Sequence, residues 1–232
     1  MNVMQVFQIG PAQVVRWIVA VNLALLLCLP HAWAAEGGKP VRVVAFGDSL
    51  TAGLGLPPSE AFPARLEKAL KAKGLNVKIA NAGVSGDTTA AGLERFDWAI
   101  PDDAEAVILE LGANDALRGM DPNLTRTNLD KILSRLREKN IEVLLTGMMA
   151  PKNWGAPYED EFNVIYKDLA AKYGTLLYPF FLDGVATKAN LNQDDGLHPS
   201  SKGVGVIVER IMPSVEQLIT RVEARRLAAA SP

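Results

Sequence analysis

The chain has 232 residues, of which 49% are hydrophobic and 22% charged, and its formal net charge is -2. That near-neutral balance, without any block of like charges, argues against a nucleic-acid-binding surface and fits an ordinary globular protein. Two histidines and one cysteine also exclude a zinc site assembled from several of either.

Residues 1–34 differ from everything after them. They hold no Asp, Glu or Lys and a single Arg16, followed by the apolar run "WIVAVNLALLLCLP" and then "HAWAA". A weakly basic start, an apolar core too short to span a bilayer and Ala32-Trp33-Ala34 as an A-x-A cleavage site predict a secretory signal peptide over 1–34. The alternative, a retained N-terminal anchor, is disfavoured by the short core, and Leu27 ahead of Cys28 disfavours a lipoprotein signal. Cleavage would remove both Cys28 and His31. Residues 35–232 are then expected to form one exported, periplasmic domain with no disulfide, no stable membrane anchor and His198 as its one histidine. About 200 residues can bury enough surface to stand without cross-links.

From residue 41 onward, short apolar runs rich in β-branched residues predict strands at Val41–Phe46, Val77–Ala80, Ala106–Leu111, Ile141–Thr146 and Leu176–Tyr178. Between them, helical patterns cover roughly 60–73, 87–97, 123–139 and 159–173. In the fourth, Phe162, Ile165, Tyr166, Leu169 and Tyr173 return every three or four residues and make one stripe. A last helix is expected over 201–226, kinked or divided by Pro213, and the tail "LAAASP" from about residue 227 is expected to fray. Apolar runs alternating with helices imply an α/β protein, most simply a three-layer α/β/α sandwich on a five-stranded parallel sheet.

Ligands of such sheets bind beyond the carboxyl ends of the strands, so the residues that follow each run carry the chemistry. Ser49 follows the first strand in "GDS", Gly83 lies in "NAGVSGDTT" after the second, Asn114 in "GAND" after the third, and His198 in "DDGLHPS" after the last. A serine hydroxyl needs a base to take its proton, and the base needs a third group to fix its tautomer. Asp195, three residues before His198 with Gly196 between them, can supply that group, and Asp194 competes for the role. Donors for a developing oxyanion could come from the Ser49 N–H, the Gly83 N–H and the Asn114 side chain. Asp48 reads as a residue that holds the loop, and Ser85 as a rival nucleophile with no expected donor opposite it. The stretch "GDSLTAGLG" matches neither phosphate-binding glycine motif, and the elbow G-x-S-x-G is absent.

The segments "FGDSLTAG", "NAGVSGDT", "LGANDALRG" and "DGLHPSSKG", in this order over about residues 41–212, resemble the motif blocks of the GDSL (SGNH) hydrolases. The resemblance implies Ser49 as nucleophile, Gly83 and Asn114 as oxyanion donors and His198 as base. It also implies Asp195, rather than Asp194, as the orienting acid, because the family places its acid three residues before the histidine. Within the family, the likeness is greatest to the small periplasmic enzymes described as arylesterase, acyl-CoA thioesterase and lysophospholipase. These imply a flavodoxin-like sheet, a small ester or acyl substrate, and no metal or organic cofactor. They also share a segment like "GMMAPKNWGAPY", in which Met148, Met149, Trp154 and Tyr158 could line an apolar channel for an acyl or aryl group. The other reading of that segment is structural, with the methionines ending a buried strand and Trp154 covering the core. A carbohydrate O-deacetylase and, more remotely, a non-catalytic ligand-binding module are the competing functions.

Overall fold

The structure is a computed structural model that describes residues 38–231; the leader expected over 1–34 lies outside the described residues. Five strands form one sheet: β1 (Val41–Gly47), β2 (Val77–Gly83), β3 (Ala106–Glu110), β4 (Glu142–Thr146) and β5 (Leu176–Tyr178). Their order is β2-β1-β3-β4-β5 and every pairing is parallel. Order 2-1-3-4-5 is the flavodoxin-like arrangement, in which the winding reverses between β1 and β3 and opens a crevice at their carboxyl ends. β3 is buried at every position, as a central parallel strand covered on both faces should be. β2 lies at the edge and instead alternates, with Val77 and Ile79 buried and Lys78 and Ala80 exposed.

The helices are α1 (Ser49–Ala52), α2 (Phe62–Ala72), α3 (Thr89–Glu94), α4 (Phe96–Ala99), α5 (Ala113–Leu117), α6 (Pro122–Glu138), α7 (Ala156–Asn163), α8 (Ile165–Tyr173) and α9 (Ser201–Ala230). The long ones form two groups over the sheet: α2 packs with α9, and α6 packs with α3 and α8. Right-handed crossovers place such groups on opposite faces when the strand order reverses, which gives the three-layer α/β/α sandwich. No helix of the described residues is long and apolar enough to cross a membrane.

Several boundaries depart from the sequence pattern. The helix expected over 87–97 is two helices, α3 and α4, that meet at Arg95. That residue turns its guanidinium inward to Asp87 and to the Gly47 carbonyl. The helix expected over 159–173 breaks at Val164, next to Asn163, whose side-chain oxygen accepts a hydrogen bond from the Ala150 N–H at 2.9 Å. Pro213 does not divide α9. Pro213 and Glu209 are both exposed, so the carbonyl deprived of its i+4 donor faces water. The tail is helical to Ala230 rather than frayed. Arg226 anchors it with a two-pronged bond to Glu105 and further bonds to the carbonyls of Lys39 and Pro40.

Candidate active site

The end of β1 runs directly into the site. Asp48 caps α1 by accepting the Leu50 N–H at 3.0 Å, and Ser49 becomes the first residue of that short helix. Ser49 is 7% exposed and Asp48 not at all. The second Asp48 oxygen accepts from Asn114 Nδ2 at 3.1 Å, and the same amide nitrogen donates to the Asp87 carbonyl at 2.9 Å. Two acceptors thus require the NH2 end of Asn114, rather than its oxygen, to face the loops around Ser49. Burial pushes the Asp48 carboxyl up to about 6, against the hydrogen bonds that favour its charge.

His198 arrives from the long connection between β5 and α9. Its Nε2 lies 2.9 Å from Ser49 Oγ, and its Nδ1 lies 2.6 Å from Asp195 Oδ2. The other Asp195 oxygen accepts the backbone N–H groups of Leu197 and His198 at 2.9 and 3.0 Å. Gly196, at φ +70°, permits the turn that makes this possible. These bonds, the His198 N–H foremost, hold the Asp195 carboxyl down at about 2. It is therefore ionised throughout the neutral range and can balance a positive imidazole. Asp194, the sequence-level competitor, is exposed and Asp195 makes the contact. Gln193 ties the loop down: its Nε2 donates to the carbonyls of Leu54 and Pro199 at 2.8 and 3.0 Å.

One expected donor is otherwise engaged. The Gly83 N–H donates to Asn81 Oδ1 at 3.0 Å, so it does not present a free hydrogen to the site. Glycine is needed there for packing, since a Cβ would run into the Thr51–Ala52 backbone of α1. Three residues on, Gly86 holds φ +88° with open space where a Cβ would stand. It immediately precedes Asp87, whose carbonyl receives Asn114. The glycine beside the Asn114 amide is thus Gly86. Its signal in the sequence was the second glycine of "NAGVSGDTT", which spacing alone could not separate from the first. Ser85, the rival nucleophile, sits exposed in the same loop.

The four residues expected to line a channel do not act as one group. Met148 is 3% exposed and belongs to the core, as the last residue of a buried run that continues two positions beyond β4. Met149, the next residue, is 57% exposed. Trp154 Nε1 donates to the Ala116 carbonyl at 2.9 Å and its ring lies over Gly119; Tyr158 donates to the Met120 carbonyl at 2.9 Å. With Phe162 stacked on Tyr158, these aromatics form a buttress for α5, the helix that carries Asn114.

Two buried polar groups escaped the sequence pattern altogether. Glu110, at the end of β3, is fully buried behind the Ser49 loop. Arg95 is 6% exposed, paired with Asp87 and stacked over the Phe46 ring. A lone carboxylate in the otherwise apolar run "AVILELG" was the available signal for the first; the second had none, because an arginine on a helical face ordinarily faces solvent.

A model of the family described as "GDSL-like Lipase/Acylhydrolase family" matches residues 45–206. The arylesterase of Vibrio mimicus is 38% identical over 192 residues, covering 81% of this chain and 92% of that protein. Thioesterase 1/protease 1/lysophospholipase L1 of Escherichia coli is 34% identical over 207 residues, covering 89% of this chain and 95% of that protein. Among solved structures, AlinE4, a SGNH-hydrolase family esterase, aligns with 48% identity and a TM-score of 0.67 over 78% of this chain and 98% of that one. The matched span contains Ser49, Asn114 and His198 together, and on these grounds the chain belongs to the GDSL-like lipase/acylhydrolase family.

Proposed function

We propose that the chain is a serine ester hydrolase that works through an acyl-enzyme. The observation that carries this reading is the unbroken relay from Asp195 to His198 to Ser49, at 2.6 and 2.9 Å. Ser49 Oγ attacks the ester carbonyl carbon as His198 Nε2 takes its proton, and the carbonyl oxygen becomes the oxyanion. The Ser49 N–H and the Gly86 N–H receive that charge, and the Asn114 amide joins them by turning one hydrogen from the Asp87 carbonyl to the oxyanion while Asp48 keeps the other; each donor is worth about 10²–10³ in rate. Collapse expels the alkoxide, protonated by His198. Water then attacks the acyl-enzyme by the same route and releases the acid, restoring Ser49. Asp195 stays ionised throughout and never carries the proton.

The names of the relatives favour aryl and acyl esters, with thioesters and lysophospholipids within the same chemistry. Met149, exposed three residues beyond the carboxyl end of β4, is a candidate to meet a substrate acyl or aryl group. The residues require no metal or organic cofactor for these steps. Export through the leader over 1–34 would place the enzyme in the periplasm.

The test is a fluorophosphonate probe together with a series of p-nitrophenyl esters from acetate to laurate. The probe should label Ser49 in the native protein and fail to label Ser49→Ala. Label on any other residue, or ester turnover that survives in Ser49→Ala, would overturn the reading.

A further inference from the structure

Two carboxyl groups are buried side by side beneath the site. Asp48 and Glu110 are both 0% exposed, and Glu110 faces Gly47 across the β1–β3 pairing. Glu110 Oε2 accepts from Thr51 Oγ1 at 2.7 Å and from the Asp48 N–H at 3.3 Å. Gly47 has no side chain because the Glu110 carboxyl and the Thr51 hydroxyl occupy the place of its Cβ. The carboxyl therefore ties the last turn of β1, the cap of α1 and the body of α1 to the central strand.

The charge of this pair decides what it can do. The other ionisable groups around it are committed elsewhere. Arg95 donates to Asp87 and to the Gly47 carbonyl, its Nη1 reaching no acceptor among the described residues, and Tyr166 donates to the Leu111 carbonyl. Asp115 accepts from Thr89 and Thr125, and His198 pairs with Ser49 and Asp195. Among the described residues no cation forms a hydrogen bond or ion pair with either of these buried carboxyls, so the pair retains one proton. Asp48 takes two N–H donors, from Leu50 and Asn114, and is the better home for the negative charge. Glu110 Oε1 has no hydrogen-bond partner among the described residues, a position that costs a neutral carboxyl less than it would cost a carboxylate. Burial and the neighbouring Asp48 charge both push Glu110 well above the usual carboxyl range.

We propose that Glu110 is a positioning residue of this enzyme: a permanently neutral carboxylic acid that locks the Ser49 loop through Thr51 and Asp48, and through Asp48 keeps the NH2 of Asn114 turned toward the oxyanion. The proposal rests on the roles given above to Ser49 and Asn114. It differs from a plain packing role because it fixes which hydrogen bonds the position must make and forbids it a charge.

The test compares Glu110→Gln with Glu110→Leu, measuring kcat, KM and the pH profile of kcat per site titrated with the fluorophosphonate, and thermal unfolding. Gln keeps an acceptor and a donor without charge, so its kcat should stay within about threefold of the parent, with the pH profile overlaid. Leu should lower kcat about 10²-fold at nearly constant KM, the pattern of an interaction made in the transition state. A Gln variant as impaired as Leu would show that charge is needed and overturn the proposal. A Leu variant with parental kcat per titrated site and a lowered Tm would reduce Glu110 to packing and overturn it equally. Should Leu fail to fold, Thr51→Val removes the hydroxyl bond alone, and it too should lower kcat at constant KM; an unchanged kcat there overturns the proposal. Failure of the underlying functional reading is separately visible, as absence of probe on Ser49 in the native protein.

Discussion

The two halves of the site are built differently. Ser49, Asp48 and Asn114 stand at the ends of strands in the middle of the sheet, on short helices pinned by buried hydrogen bonds between distant residues. Asp195 and His198 stand on a connection that has no strand and only one short 3-10 turn, Ala189–Leu191, between β5 and α9. The Asp195 side chain is 45% exposed. The first half draws its order from the core. The second makes its own order locally, through the Asp195 turn, and is moored to the first by Gln193. A protein can thus keep a reactive hydroxyl on rigid ground while the base sits where solvent can reach it.

The largest expected effect is on the shared hydroxyl. Ser49→Ala should lower kcat by about 10⁴-fold or more with little change in Tm, since only a hydroxyl is removed. Asp195→Asn keeps the shape of the histidine turn but removes the charge that balances a protonated imidazole. It should lower kcat by about 10³-fold or more, read as initial rates on a p-nitrophenyl ester.

Two smaller substitutions separate the halves. Gln193→Ala cuts the mooring of the histidine loop and should lower kcat about three- to tenfold while Tm barely moves. Trp154→Ala removes the buttress under α5 and should do the reverse, with a stability loss of about 1–2 kcal/mol and kcat within about threefold. If Gln193→Ala costs stability and Trp154→Ala costs rate instead, the contrast between the halves is wrong.

The smallest effect is a slope in stability against pH. Burial raises the Asp48 carboxyl to about 6 in the folded chain, from the 3.8 ordinary for aspartate. Between those values the folded chain holds a proton on Asp48 that the unfolded chain has lost, so this group makes stability fall as pH rises from about 4 to about 6, in addition to the fall that neutral Glu110 contributes above the usual carboxyl range. Denaturant unfolding of the parent and of Asp48→Asn across that interval should show the slope lessened in the variant. An identical slope in both would assign the proton to another group.

Much of this was legible in the residues. The strands followed from β-branched apolar runs, and Ser49, Asn114 and His198 were readable because each follows such a run or ends the last loop. Asp195 was readable from its place in the histidine turn and from the family resemblance. The glycine proposed as donor was not: Gly83 and Gly86 share one loop, and the bond from the Gly83 N–H to Asn81 tells them apart. Met148 and Met149 are neighbours of one type, yet one completes the core and the other meets solvent. The consecutive buried run from Val143 stops between them, two residues beyond the end of β4, and no local pattern marks that point. Glu110 was concealed inside a run that otherwise reads as a plain buried strand.

By itself the sequence determined the elements, the parallel α/β architecture and the kind of chemistry, because these depend on periodicity and on residue types set near one another in the chain. Only the tertiary structure decided which N–H groups are already taken, which aromatics brace α5, and that two carboxyls share one buried site. Those outcomes rest on hydrogen bonds between residues 62, 66 and 149 positions apart. The geometry of such bonds is set by packing across the sheet, which no local pattern encodes.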